Sequence, residues 1–207
     1  MKHRNLNGIG RSQNRGFSTL ELLVVVAISL VVAGIVVPAA VQTWYGLQMR
    51  ASAAEVADLM QRTRMQAART NLNIPVLYQV TGGMQQVYAD FNRDGQWQGG
   101  GNNPEPLITL PRVRAAAGAP GGGGGAPPSY VDPFDTTAGV PCDNTCTLGF
   151  SPRGLPCIYA GPNNCPTPSP SYFVYYFQDG RPNGWSAVLV SKAGRTKTLV
   201  WNGNTWN

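Results

Sequence analysis

Histidine is all but missing from this chain. Its 207 residues include one, His3, which lies ahead of a long apolar run. Downstream of that run no Ser/His/Asp or Cys/His catalytic set can be built. Charge is sparse too, with ten acidic residues against sixteen basic ones. The neighbouring acids Asp132 and Asp135 fall in a Pro-rich stretch, where solvated carboxylates are the ordinary explanation. The glycine run Gly121–Gly125 lacks the Lys-Ser/Thr that follows a phosphate-cradling loop. There is no internal repeat. The four cysteines, Cys142, Cys146, Cys157 and Cys165, are spaced C-x3-C-x10-C-x7-C, which is not a zinc pattern. These absences argue against an enzyme, and no catalytic residue, metal or cofactor is expected.

What is present is a membrane span. Leu22–Val41 is twenty residues without a charge. At about 1.5 Å per residue it reaches roughly 30 Å, the thickness of a bilayer's hydrocarbon. The residues before it carry Lys2, Arg4, Arg11 and Arg15 and no acid, which keeps them cytoplasmic and sends the rest outward. The formal charge of +6 owes four positive charges to this leader, leaving twelve basic against ten acidic residues beyond it. A net charge near +2 gives no global case for nucleic-acid binding, so only local clusters count. The cysteines lie on the exported side, where disulfides persist. Two bridges are expected. Three connectivities are open, and nearest-neighbour pairing is preferred because each pair would clip a turn-rich loop.

The helix should continue past the membrane. Residues 51–70 lack Gly and Pro, and Val56, Leu59, Met60, Thr63 and Ala67 recur along one face. Asp58 and Arg62 are spaced for an i,i+4 ion pair. A helix from about Ser18 to Thr70 follows, with Gly34, Pro38 and Gly46 as its weak points. Strands are expected at Ile74–Thr81 and Met84–Phe91, joined by the hairpin turn Gly82-Gly83, then at Pro106–Arg114. Thr147–Phe150, Tyr172–Gln178, Trp185–Ser191 and Thr196–Trp201 complete the set. A flexible loop is expected over 115–128, and a second irregular connection at Pro166–Pro170. Asp90-x-Asn92-x-Asp94-Gly95 resembles half of a calcium loop, but Gly101 stands where the bidentate Glu belongs, so an Asx-rich turn is preferred.

Just before the span stands Gly16-Phe17-Ser18-Thr19-Leu20-Glu21. A lone carboxylate at the mouth of a membrane helix is costly unless it has a role. From Gly16 to Val41 the chain resembles the type IV prepilin signature, with Pro38 where such pilins carry a proline. The resemblance implies cleavage between Gly16 and Phe17 by a prepilin peptidase, and usually methylation of the new amine. Pairing of Glu21 with that amine, on a neighbouring subunit, would set the axial register of a filament.

Farther on, Ala89-Asp90-Phe91-Asn92-Arg93-Asp94-Gly95, Leu148-Gly149-Phe150-Ser151-Pro152-Arg153-Gly154 and Ala193-Gly194-Arg195 look like landmarks of the GspH/FimT family. That family comprises minor pseudopilins of type II secretion and minor type IV pilins. It implies an α+β pilin fold: a leader (1–16), a transmembrane and filament-core helix (17–45), and a periplasmic head (46–207) of helix packed on antiparallel sheets. The implied partners are other pilin subunits, the peptidase and the bacterial inner membrane. Members are low-abundance filament components and not enzymes. Among FimT-type pilins a Gly-Arg-x-Arg motif contributes to DNA binding. Here it reads Gly194-Arg195-Thr196-Lys197, and Lys loses the bidentate fork while keeping a charge for phosphate. Lys192 and Arg181 are near in sequence, with Trp185, Trp201 and Trp206 as aromatics for base stacking or packing. DNA is thus an alternative partner, and the ordinary explanation is a soluble hairpin tip. Adhesion through the Gly-rich and disulfide loops is a third reading. Secretion and pilus machines share this N-terminal chemistry, and both stay open.

Overall fold

The computed structural model describes residues 18–101, 104–110, 113–116, 140–142, 147–167, 169 and 172–207, with backbone alone for 140–142. Helix α1 runs Thr19–Thr70. Ser18 starts it: its hydroxyl accepts the Leu20 N–H at 3.3 Å, relieving one of the first turn's unpaired amides. Asn71 ends it in the left-handed region at φ 56°, a conformation Asn tolerates better than most residues. The helix continues through Gly34, Pro38 and Gly46, so none of the expected weak points ends it.

The chain divides into two compact units, one ending at Gln42 and the other spanning Thr43–Asn207. In the first, every described residue is exposed, the apolar run Leu22–Val41 included. This stretch is long and apolar enough to cross a membrane.

In the second unit, α1 buries one stripe: Met49, Ser52, Ala53, Val56, Leu59, Met60, Thr63 and Ala67. The five positions read from the sequence are all in it. Thr63 returns its hydroxyl to the Leu59 carbonyl at 2.8 Å, which lets a polar residue sit in the stripe. On the opposite face Asp58 and Arg62 pair at 2.7 Å, both more than half exposed.

Ten strands follow: β1 (Ile74–Thr81), β2 (Met84–Ala89), β3 (Leu107–Leu110), β4 (Arg114–Ala116), β5 (Val140–Cys142), β6 (Leu148–Phe150), β7 (Pro156–Ile158), β8 (Phe173–Gln178), β9 (Trp185–Val190) and β10 (Thr196–Val200). The first sheet has the order β3-β2-β1-β6-β7 and is antiparallel throughout. The second has the order β10-β9-β8-β4, also antiparallel. Strand β5 adds to it by a parallel pairing with Phe173–Tyr175 of β8, end to end with β4, which pairs Tyr176–Gln178. A long apolar helix followed by antiparallel sheets is the α+β architecture expected.

The main core joins the helix stripe to Ile74, Val76, Val87, Ala89, Leu148 and Phe150 of the first sheet. It also takes Phe173, Tyr175, Phe177, Val188 and Val190 from the second. The alternate residues of β8 and β9, Val174, Tyr176, Trp185, Ala187 and Leu189, belong to a separate cluster with Leu199 and Trp201. Burial on both faces explains why β8 and β9 read as continuous apolar runs.

Three expectations change. The strand expected over Pro106–Arg114 is two strands in different sheets, β3 and β4, with Pro111 between them in sequence. Proline has no N–H to continue a ladder. The loop expected from Ala115 starts later, because Ala115 and Ala116 pair with Phe177 and Tyr176. Its remaining residues, Gly121–Gly125 among them, lie outside the described residues, as do Asp132 and Asp135. Strands β5 and β7 escaped notice because each is three residues long and contains a proline, tolerated at sheet margins.

Candidate functional site

Two turns of one design stand out. Ser151-Pro152-Arg153-Gly154-Leu155 joins β6 to β7, and Ser191-Lys192-Ala193-Gly194-Arg195 joins β9 to β10. In the first, Ser151 N–H donates to Leu155 O (2.9 Å), Gly154 N–H to Ser151 O (2.8 Å) and Leu155 N–H to Ser151 Oγ (3.3 Å). In the second, Ser191 N–H donates to Arg195 O (2.8 Å), Gly194 N–H to Ser191 O (2.7 Å) and Arg195 N–H to Ser191 Oγ (3.0 Å). Both serines are buried, and both glycines sit at positive φ, 70° and 76°. Serine supplies an acceptor to the turn's own amides, and glycine takes the left-handed position at no steric cost.

The two turns meet beside α1. Gly194 O accepts from Arg64 Nη1 at 3.0 Å and from Gln61 Nε2 at 3.3 Å, and Gln61 Nε2 also reaches Thr196 Oγ1 at 3.0 Å. A methyl on Gly194 would lie 2.9 Å from Gly154 O and 3.1 Å from Arg64 Nε. One on Gly154 would lie 3.3 Å from Arg64 Cγ. The landmarks Ser151–Gly154 and Ala193–Arg195, forty residues apart in sequence, are therefore one structural feature clasped by Arg64. Arg64 was missed in the sequence, where its only signal is a place next to the buried Thr63.

The structure places the expected basic residues as follows. Arg195, at the end of the turn, and Lys197, in β10, are both exposed. Lys192 is partly buried in the turn. Arg153, not singled out before, is exposed on the companion turn. Arg181 is engaged elsewhere: its guanidinium bonds Asp179 and lies 4.9 Å from the centre of the Tyr45 ring. The three tryptophans near the motif in sequence pack together. Trp185 and Trp201 are buried in the second cluster, and Trp206 stacks obliquely on Trp201 with centroids 5.4 Å apart.

The Asp90–Gly95 stretch forms the Asx-rich turn. Asp90 is 1% exposed, its Oδ1 taking the N–H groups of Arg93 and Asp94 and its Oδ2 that of Gly95. Asn92 Oδ1 accepts from Asp94 N–H, and Asp94 Oδ1 from Gln96 N–H. A residue unnoticed in the sequence completes it. Glu105, 5% exposed, takes the N–H groups of Phe91 (2.9 Å) and Asn92 (3.2 Å) on Oε1 and of Gln98 (2.7 Å) on Oε2. Backbone amides thus satisfy two buried carboxylates that metal ligation would need free. Burial, then the charges of Asp90, Glu105 and Asp94, raise the Tyr88 hydroxyl's pKa, and that hydroxyl donates to Gly95 O at 3.0 Å.

Glu21 lies in the first turn of α1, at the start of the apolar run, and is exposed. Gly16 and Phe17 lie outside the described residues. Cys157 and Cys165 are joined, with Cα atoms 5.3 Å apart, which is one of the two nearest-neighbour pairs. Cys142 is in β5, described by backbone alone, and Cys146 lies outside the described residues.

No family model, no curated protein and no solved structure matches this chain.

Proposed function

We propose that the chain is a minor pilin or pseudopilin. On this reading prepilin peptidase cuts between Gly16 and Phe17. The apolar part of α1 holds the product in the bacterial inner membrane with its head in the periplasm. The subunit then enters a type IV pilus or a type II secretion pseudopilus. One observation carries the reading: a single 52-residue helix begins as an exposed, uncharged run with one carboxylate at its mouth and ends as an apolar stripe in a β-rich head. Among packed apolar helices an unpaired carboxylate costs several kcal/mol, so Glu21 calls for a cationic partner, which the new Phe17 amine supplies. The test is incorporation of full-length Glu21→Ala into sheared filaments beside its host machinery. A drop of about tenfold or more is expected for loss of a pairing worth ~1.4 kcal/mol or more. Normal incorporation contradicts the role.

The paired turns support a second reading, DNA capture by the same subunit. Arg195 and Lys197, with Lys192 and Arg153 on the adjoining turns, are several cations in one region, as phosphate binding requires. Binding of duplex DNA by the full chain in detergent should weaken steeply with salt. It should fall about tenfold on the double change Arg195→Ala, Lys197→Ala. A flat salt response contradicts phosphate contact.

A further inference from the structure

The head holds a cleft of about 490 Å³ lined by Tyr45, Gln48, Met49, Val113, Asp179 and Arg181. Helix α1 supplies one wall and the turn between β8 and β9 another. Met49 and Val113 are buried, so the cleft has an apolar floor. Arg181 stands over the Tyr45 ring, 4.9 Å from its centre. Its Nε donates to Asp179 Oδ2 at 2.8 Å, and its Nη2 donates to the same oxygen. A guanidinium has five N–H donors, so this pair fixes the group in place while Nη1 keeps donors for a ligand.

Chain position limits what can reach this cleft. Tyr45 comes four residues after Val41, the last residue of the uncharged run. Four residues reach at most about 14 Å even when extended, and the headgroup layer outside a bilayer's hydrocarbon is about 5–8 Å deep. With the run across a bilayer, the cleft stands within reach of lipid headgroups. Trp and Tyr are also the residues that gather at that interface, and Trp44 is exposed. The charge agrees. Arg50 and Arg114, chain neighbours of Met49 and Val113, are exposed. Among the lining residues and their immediate neighbours in sequence the only acid is Asp179, whose side chain is 6% exposed and already bonded to Arg181.

We infer that this cleft binds the phosphate of an anionic phospholipid in the bilayer that Leu22–Val41 enters. Arg181 Nη1 donates to the phosphate oxygens, and Met49 and Val113 meet the apolar part of the lipid next to its headgroup. Arg50 and Arg114 add attraction for negative charge, and each cation near a membrane surface is worth about a fivefold preference. The site gives the head a polar hold on the bilayer besides the apolar run, one that ends when the subunit leaves the membrane. The inference rests on Leu22–Val41 crossing a membrane and not on the filament.

The test uses the full chain in phosphatidylcholine vesicles doped with phosphatidylglycerol that carries a photoreactive headgroup, with labelled residues mapped by mass spectrometry. Label is expected on Tyr45 and on residues 179–182. It should be about fivefold lower or less in Arg181→Gln and largely kept in Arg181→Lys, which keeps the charge. Gln48→Glu sets a carboxylate in the cleft wall and leaves Arg181 in place. It should lower the label as much, and it carries the test if Arg181→Gln fails to fold. Label unchanged in these variants overturns the site. So does equal labelling by a phosphatidylcholine probe, or displacement by inorganic phosphate at constant ionic strength, which marks a site for free phosphate. No label at these residues in a chain that resists carbonate extraction refutes the site and leaves the membrane reading standing. A chain that carbonate washes out of the vesicles refutes both.

Discussion

Gly154 and Gly194 close on one another across Arg64, with room for hydrogen where a methyl on Gly194 would stand 2.9 Å from the Gly154 carbonyl oxygen. Each glycine comes from a different sheet. The contact therefore ties the edge of the first sheet to the β9–β10 turn, and Arg64 ties that turn to α1.

Substituting these glycines should show a graded cost. Gly194→Ala meets both a positive φ and a backbone oxygen, and a loss of about 2–3 kcal/mol is expected. Gly154→Ala meets positive φ and the flexible Arg64 side chain, and about 1 kcal/mol is expected. Gly82→Ala, in the open hairpin turn, isolates the backbone term alone. Urea titration of the three variants checks the order.

Glu105→Gln should destabilise the head by about 1–3 kcal/mol. The carboxylate takes three backbone N–H groups on its two oxygens, and an amide nitrogen in place of one oxygen would face a donor. Glu55→Gln, on the exposed face of α1, is the control and should leave the melting temperature unchanged. An equal response from both would contradict the assigned role of Glu105.

Tyr175→Phe should be neutral or stabilising. The ring fills the main core, but among the described residues its hydroxyl finds no hydrogen-bond partner. Removing a buried group that is unpaired relieves a desolvation cost of about 1–3 kcal/mol. A clear fall in melting temperature would contradict this.

Alkali should unfold the head in a defined window. Burial raises the pKa of the Tyr175 and Tyr176 hydroxyls, and pushes Tyr78 up to about 12. Below about pH 10 these phenols are neutral in both states, and their contribution is intact. Above it the unfolded chain gives up protons that the folded chain retains, so stability falls; Tyr78 stops contributing to the fall once it ionises near 12, while Tyr175 and Tyr176, raised further, prolong it. Melting temperatures from pH 8 to 12, with tyrosinate absorbance, test this. A flat profile above pH 10 would contradict it.

Much of the fold was legible because it is written in periodicity. The stripe Val56–Ala67 repeats at helical spacing, and Gly82-Gly83 between β-rich runs fixes the first hairpin with its register, Thr81 opposite Met84. What was not legible depends on partners distant in sequence. Strand β7 has three residues, and its place is set by β6. Glu105 acquires its role only when Phe91, Asn92 and Gln98 turn their amides toward it. The turns at Ser151 and Ser191 could be compared as matching S-x-x-G strings, but nothing local says that they touch, or that Arg64 joins them. The choice between stacking and packing for the tryptophans stayed open in sequence for the same reason. Trp185 and Trp201 suit either role in sequence, and only the pairing of β8, β9 and β10 shows that they are core.

On the proposed reading this chain is a processed filament subunit, and its N-terminus reports the processing. The full chain should be expressed with a prepilin peptidase, extracted from the inner membrane, and its intact mass and N-terminal sequence determined. A chain beginning at Phe17 is expected, with cutting abolished by Gly16→Leu. An uncut chain, or one cut after the apolar run beside Val41, would contradict it.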